Sequence, residues 1–217
     1  GNPELEPQKA KQFDIAYEWY FNDSSVFSAT YFYKNIESYT TSSVVVEQFF
    51  NEQSGEYVDV DITTTTNGKG GTSNGLELGY QQSFGNFGIA ANYTYTNADR
   101  DQATGGSTRS GFVEGASENM YNTTFYYETE TYGARIMYNY RTEWYKGVSW
   151  TGADLWNDSY GQWDFSSSYQ VSDNLSLTFE AVNLTDEEVV EYDGEKSRLM
   201  SIYQNGRRFL VGLNMSF

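Results

Sequence analysis

A chain of 217 residues with no cysteine and no histidine excludes a disulfide framework, thiolate metal centres and the commonest general base and zinc ligand. The net charge of −17 argues against a nucleic-acid partner, which needs basic surface, while 20 Tyr, 14 Phe and 5 Trp are too many aromatics for a disordered acidic chain. No run of about 18 apolar residues occurs, so no transmembrane helix is predicted. The negative mean hydropathy still allows membrane strands, which need about 10 residues with only half of them facing lipid.

The first stretch, 2–11, is a polar connection with two prolines, and its opening Gly1-Asn2-Pro3 carries no signal-peptide pattern and reads as a start within a protein or after processing. Phe13, Ile15, Tyr17, Trp19 and Phe21 then alternate with Asp14, Ala16, Glu18 and Tyr20, the period of a strand with one apolar face. Asn22-Asp23-Ser24 is a turn. A second strand sets Phe27, Ala29, Tyr31 and Tyr33 against Ser28, Thr30 and Lys34, with Phe32 as a packed exception on the polar side. A long polar segment follows from about Ser38 to Gly71, and within it Val58, Val60 and Ile62 alternate with Asp59, Asp61 and Thr63 as an extramembrane hairpin arm. Asn67-Gly68-Lys69-Gly70-Gly71 reads as a glycine-rich return, and no helix pattern follows it to make a phosphate cradle.

Strands three and four carry Leu76, Leu78, Tyr80 and then Phe87, Ile89, Ala91, Tyr93, Tyr95, with a tight turn at Gly85-Asn86. A polar loop runs from Asn97 to about Glu118, where Asp99 and Asp101 offer acidic groups at a spacing that fits no calcium motif. Strand five offers Tyr121, Thr123, Phe125 and Tyr127; strand six offers Tyr132, Ala134, Ile136, Tyr138 and Tyr140, with Arg135 and Arg141 on its other face. The segment from Thr142 to Ser159 is predicted as a tryptophan-rich loop. Trp163, Phe165, Ser167, Tyr169 and Val171 define strand seven, and Leu175, Leu177, Phe179 and Ala181 define strand eight. After a polar loop from Asp186 to Tyr203, Phe209, Val211, Leu213, Met215 and Phe217 alternate to the end.

The connections alternate between short and long across about nine strands, and Tyr and Trp crowd the strand ends. Both patterns suit a membrane barrel, with short periplasmic turns, long extracellular loops and aromatic girdles. A soluble β-sandwich is the alternative and has no reason to keep the short–long rule. Single-chain bacterial barrels have even strand numbers, so an odd count reads as part of a barrel. The expected fold is an all-β, antiparallel transmembrane β-barrel segment.

Ordered stretches of the chain resemble one family. Asn2-Pro-Glu-Leu-Glu-Pro7 followed by Phe13-Asp-Ile-Ala-Tyr-Glu-Trp-Tyr-Phe21, then Ala29-Thr-Tyr-Phe-Tyr-Lys-Asn-Ile36, are similar to a recurrent pair of strands in TonB-dependent outer-membrane receptors. Asn67-Gly-Lys-Gly-Gly71 with Asn74-Gly-Leu-Glu-Leu-Gly-Tyr80, Ser172-Asp-Asn-Leu-Ser-Leu-Thr-Phe-Glu-Ala-Val-Asn-Leu-Thr-Asp186, and Gly206-Arg-Arg-Phe209 with the terminal Phe217 follow in the family's order. The resemblance implies a barrel of about 22 strands, of which residues 1–217 would be the C-terminal part. The plug domain and earlier strands would lie outside it, in a longer protein or on a second chain. It implies a Gram-negative bacterial outer membrane, a TonB-type energy-transducing partner acting through the plug, outer-membrane lipid around the barrel, and a surface lipoprotein as a further partner. It also implies an assembly signal in the last strand; Gly212 and Phe217 fit it, whereas Met215 and Leu210 stand where an aromatic and a polar residue are usual.

The expected function is energised nutrient uptake, with no cofactor, no catalytic residue and no resident metal. Paired carboxylates such as Glu187-Glu188 or Glu128 and Glu130 would suit glycosidase chemistry but read as solvated loop charge. Trp144, Tyr145, Trp150, Trp156 and Tyr160 cluster in one loop and its edges, and flat rings stack on sugar C–H faces. Girdle anchoring is the alternative for Trp144 and Tyr160, and loop packing for Trp150 and Trp156. The Asn2-Pro and Gly-Lys-Gly-Gly versions of the motifs resemble a glycan-associated subgroup, so an oligosaccharide is the expected ligand. A ferric siderophore is the alternative ligand: Arg135 and Arg141 would suit an anionic chelate that the overall charge would repel, unless they pair with Glu18, Glu77 or Glu180. A passive porin and a soluble glycan-binding sandwich are alternatives of other classes.

Overall fold

The computed structural model describes residues 2–100 and 113–216, with the side chains of 39, 41–43 and 100 outside the description. The terminal Phe217 of the expected assembly signal and Asp101 of the acidic loop therefore lie outside the described residues. Thirteen strands occur among the described residues: β1 (Lys9–Asn22), β2 (Ser25–Asn51), β3 (Glu56–Phe84), β4 (Phe87–Arg100), β5 (Asn119–Glu128), β6 (Tyr132–Arg141), β7 (Trp144–Val148), β8 (Asp154–Asn157), β9 (Tyr160–Ser172), β10 (Leu175–Val182), β11 (Val189–Asp193), β12 (Leu199–Tyr203) and β13 (Arg208–Met215). Nine of them hydrogen-bond in the order β1-β2-β3-β4-β5-β6-β9-β10-β13, and these are the nine that the alternation picks out. The other four form a separate sheet, β12-β11-β8-β7, in two segments that read as loops.

Two compact units divide the chain: Asp14–Phe32, Asn74–Asn97 and Glu114–Phe217 form one, and Gly1–Phe13, Tyr33–Ser73 and Ala98–Val113 form the other. In the first, antiparallel register carries one row of apolar residues from strand to strand. Ile89 opposes Phe125, Phe125 opposes Ile136, Ile136 opposes Phe165, Phe165 opposes Ala181 and Ala181 opposes Phe209. A one-residue slip would turn every member of that row to the opposite face, so the apolar pattern itself specifies the register. Aromatic pairs flank the row on both sides. Phe87 meets Tyr127 at 4.7 Å between ring centroids toward the short turns, and Tyr138 meets Trp163 at 4.6 Å toward the long loops.

The apolar face stays open: Phe125 is 50% exposed and Phe209 61%. The buried apolar residues of the described chain are only Tyr145, Ala181 and Tyr192. A soluble sandwich would hide such a face against a second sheet; a membrane strand turns it to lipid.

The opposite face is polar and closely fitted. Tyr126 lies across Gly88, where an added Cβ would stand 2.1 Å from the ring, and its hydroxyl is 2.9 Å from Ser83 Oγ. Phe32 covers Gly75 in the same way, which explains the one aromatic that breaks the alternation of β2. Gly212 faces Thr178, whose Oγ1 would be 2.4 Å from an added Cβ, and Met215 pairs with Leu175 at the end of β13.

In the second unit the polar segment proves to be strand. β2 runs on to Asn51 and β3 starts at Glu56, so the expected hairpin arm is the continuation of two long strands. Threonines 63–66 look like loop by polarity, yet their branched Cβ favours extended backbone. The turn closes with Gly55 at φ 72° donating its N–H to the Asn51 carbonyl at 2.8 Å. The glycine-rich stretch is not a return loop either. Gly70 sits inside β3, where an added Cβ would lie 1.7 Å from the Ile36 carbonyl oxygen, so close backbone approach accounts for it. Asn67 clamps the proline-bearing connection: its Nδ2 donates to Glu4 O at 2.8 Å and its Oδ1 accepts from Glu6 N at 2.8 Å. Asn2 Nδ2 donates to Thr65 O at 2.9 Å beside it.

Candidate functional site

The sheet β12-β11-β8-β7 gathers four of the five predicted loop aromatics on β7, β8 and the turn between them. Its central row, Tyr145 opposite Trp156 opposite Tyr192 opposite Leu199, alternates with a polar row through Asn157, Glu191 and Ser201. Tyr145 is 1% exposed, and its ring meets Trp156 edge-on at 5.6 Å and 64°. These two aromatics thus form the small core of the loop sheet. Trp144 is capped by Arg141, whose Cζ lies 3.8 Å from the ring centroid. That guanidinium donates to Ser117 Oγ at 2.8 Å and to the Gly115 carbonyl at 2.6 Å.

The fifth aromatic, Tyr160, begins β9 opposite Arg141 and donates to Gln162 Oε1 at 2.6 Å. Gln162 passes a hydrogen bond to Asp164 Oδ1 at 2.7 Å, which also accepts the Asn183 backbone N–H at 2.9 Å. Asn183 is buried with φ 59°, the left-handed region that Asn tolerates better than most residues. Its side chain donates to Glu187 O at 3.0 Å and accepts Glu187 N–H at 2.8 Å, fixing the corner where β10 leaves the large sheet.

Trp150 differs from all the others: it is 88% exposed, in the turn between β7 and β8. The turn beneath it is tied on both sides. Ser149 Oγ donates to Asp193 Oδ1 at 2.8 Å and Thr151 Oγ1 donates to Asp193 Oδ2 at 2.6 Å. Ser149 N–H reaches Ala153 O at 2.8 Å, and Gly152 takes φ 82° to close the loop. The hydroxyls of Thr151 and Ser149 hold the Asp193 carboxyl below the usual range.

Charged groups bind the sheet together. Buried Glu191 pairs with Lys146 and accepts from Ser201 Oγ at 2.7 Å. Burial pushes its carboxyl up, but the hydrogen bonds from Lys146 and Ser201 outweigh it and leave the net shift downward. Lys196 bridges Asp158 at 2.7 Å and Glu143 at 3.2 Å, and these two carboxylates hold its ammonium above the ordinary range. Tyr192 donates to Glu143 Oε2 at 3.0 Å, and burial together with that bond pushes its phenol up to about 12.

Arg135 stands apart on the polar face of β6. Its partner is Glu128, with Nε donating to Oε1 at 3.0 Å, and not one of the three carboxylates expected from sequence. Ser166, Ser168, Thr178 and Glu180 line an open concavity of about 220 Å³ beside this pair. Glu188, one of the paired carboxylates, accepts from Gln204. Among the described residues no three metal-ligating side chains gather.

Sequence reasoning missed Asp193, Glu191, Tyr192, Lys196 and Asn183. The only available signal was the alternation of Val189-Val-Glu-Tyr-Asp193, too short to separate from loop. Asn183 lies in a motif that carried the family resemblance without suggesting a role.

Comparison with known proteins then bears on the whole arrangement. No curated protein matches the sequence. Solved structures match at full coverage of this chain: the siderophore receptor PirA from Acinetobacter baumannii (18% identity, 33% of that chain, TM-score 0.73) and the ferric-catecholate import receptor Fiu from E. coli (23%, 29%, 0.67). A mutant of the ferric enterobactin receptor PfeA from Pseudomonas aeruginosa gives 18% identity over 32% of that chain, with a TM-score of 0.77. At such identities the likeness is one of fold, and the chain spans about a third of the length of these structures. Residues 1–184 match the model of the family described as TonB dependent receptor-like, beta-barrel. With its nine-stranded sheet and open apolar face, the chain belongs to the TonB-dependent receptor β-barrel family of the bacterial outer membrane.

Proposed function

We propose that residues 1–217 form the C-terminal barrel portion of a receptor that takes up a nutrient through energy from a TonB-type partner acting on a plug domain. The ligand class we propose is a neutral oligosaccharide. One observation carries that choice: Trp150 presents a bare indole on a fixed turn at the loop end, while Arg135 and Arg141 are both engaged by protein groups. An indole face stacks on the C–H face of a pyranose and needs no charge. Two occupied arginines in an acidic chain offer an anionic chelate little. Tyr145, Trp144 and Trp156 support the ligand surface from beneath rather than touching ligand: Tyr145 is buried, Trp156 packs edge-on against it, and Trp144 lies under Arg141 at the end of β6.

A ferric siderophore is the second reading. The solved structures of like fold are named as siderophore, ferric-catecholate and ferric enterobactin receptors, which favours it.

Binding of maltohexaose, cellohexaose and a ferric catecholate chelate to the intact receptor in detergent separates the two. The oligosaccharide reading expects at least one hexaose to bind, and replacing Trp150 with Ala to weaken it about tenfold, the scale of one lost aromatic contact. Binding of the chelate alone establishes the second reading. Uptake of the bound ligand by cells should cease when the membrane is de-energised; uptake that continues points to a passive porin.

A further inference from the structure

We infer that Asp193 is a positioning residue that pre-sets Trp150 for stacking, and that the platform reads the flat face of a ligand ring and not its hydroxyl pattern. The inference rests on the ligand reading above.

Trp150 is flanked by two hydroxyl residues that grip the two oxygens of one carboxylate, Ser149 on Oδ1 at 2.8 Å and Thr151 on Oδ2 at 2.6 Å. The carboxylate comes from β11, a strand distant in sequence, and is 4% exposed. Its own backbone is pinned: Asp193 N–H donates to Arg198 O at 2.9 Å, and Arg198 Nε returns a bond to Asp193 O at 2.9 Å. The next residue, Gly194, donates to Asp154 O at 2.8 Å on β8. Three strands thus converge on the two residues that bracket one exposed ring. A turn that merely joined β7 to β8 would need neither a buried acid nor a matched pair of hydroxyls. Buried carboxylates are costly unless they are hydrogen-bonded, and here both oxygens are occupied.

Two chemical consequences follow. First, holding the backbone on both sides of Trp150 removes ordering cost at the moment of binding, which is how preorganisation raises affinity. Second, the hydroxyl protons of Ser149 and Thr151 are taken up by Asp193 and by the 2.7 Å contact between the two hydroxyls, and are not offered to ligand. Within this turn the exposed Trp150 ring is the group left for contact, so selection by the turn acts on an apolar ring face. Epimers that present a comparable C–H face should bind alike, whereas an acyclic polyol should not bind.

The test labels the intact receptor with 5-fluorotryptophan and identifies the Trp150 resonance by its loss in Trp150→Phe. Linewidth and relaxation of that resonance report mobility without any ligand. We expect Asp193→Ala to shift and narrow the Trp150 signal and to leave the Trp163 signal unchanged. Ser149→Ala combined with Thr151→Val should do the same, and adding both to Asp193→Ala should change little more, because all three remove one staple. Asp193→Glu, which keeps two acceptor oxygens, should restore part of the rigid signal. Maltohexaose and sorbitol are then titrated: the hexaose should perturb Trp150, with affinity several-fold weaker in Asp193→Ala, and sorbitol should not.

An unchanged Trp150 signal in Asp193→Ala, or additive effects of the three substitutions, overturns the positioning role. Simultaneous loss of the Trp163 signal shape would show general unfolding and also overturns it. If the staple behaves as expected but neither maltohexaose nor cellohexaose perturbs Trp150, the oligosaccharide reading fails while the positioning of the ring stands.

Discussion

Asn183 does the most for its size. One side chain turns β10 out of the large sheet, with a left-handed backbone and hydrogen bonds to Glu187 on both its donor and acceptor atoms. Asn183→Ala should therefore destabilise the protein by about 2–4 kcal/mol, from unsatisfied buried groups and left-handed strain together. Asn183→Gly relieves the strain and loses only the bonds, so it should cost roughly half as much. Urea titration in detergent, followed by tryptophan fluorescence, ranks the two; equal losses would mean that strain contributes nothing. At the polar face, Gly88→Ala should cost about 1–3 kcal/mol through collision with Tyr126. The same change in a Tyr126→Ala background should cost almost nothing, and the same titration reads it.

The loop sheet is held by groups that titrate, so its integrity depends on pH in a definite direction. Asp193, Glu191 and Asp158 have carboxyls lowered in the folded protein. Their contribution is present above the ordinary carboxylate range of about 4 and is lost as pH falls through the depressed values. Tyr192 is raised to about 12 from 10.0. Its contribution is present below the unfolded value and is lost as pH rises through about 12. Trp156 fluorescence, taken as the difference between wild type and Trp156→Phe, should be flat through neutral pH and change at both extremes. A change between pH values of about 6 and 9 would contradict this account of the sheet.

Period-two patterning showed the nine strands of the large sheet because part of each carries one apolar face, whereas the polar outer parts of β2 and β3 read as loop. The four loop strands were invisible for a different reason. Each spans only four or five residues, and the pairing that joins the two short hairpins, β8 with β11, links segments remote in sequence, so no local pattern announces the sheet. The aromatic cluster was legible as composition, yet its roles were not. Tyr145 and Trp150 differ by five positions and by almost the full range of exposure, a difference set by pairing partners. The threonine-rich and glycine-rich stretches of β3 misled because polarity and glycine content signal loops only where no neighbouring strand comes close.

Across the molecule, the register-aligned row from Ile89 to Phe209 makes a continuous apolar surface on one face of the sheet. Charge placed there should be expensive. Ile136→Arg should lower stability by about 2–4 kcal/mol and reduce outer-membrane yield. Ser166→Arg, on the polar face, should be tolerated. Heat-modifiable migration of the barrel on gels and membrane yield compare the two; equal tolerance would contradict the assignment of faces. The acidic balance of −17 adds that association with an anionic ligand should be strengthened by added salt, through screening of repulsion.

The sheet β12-β11-β8-β7 also bears on what would have to move together if the proposed recognition surface were transplanted. It is woven from two loops, residues 142–159 and 183–207, with β11 inserted between β12 and β8. A chimaera that received only the first loop would carry Trp150 without Asp193, and β8 without its outer neighbour. On the proposed ligand role of Trp150, the unit of recognition is the pair of loops. Recombination or grafting that moves one alone should lose the recipient's ligand without acquiring the donor's.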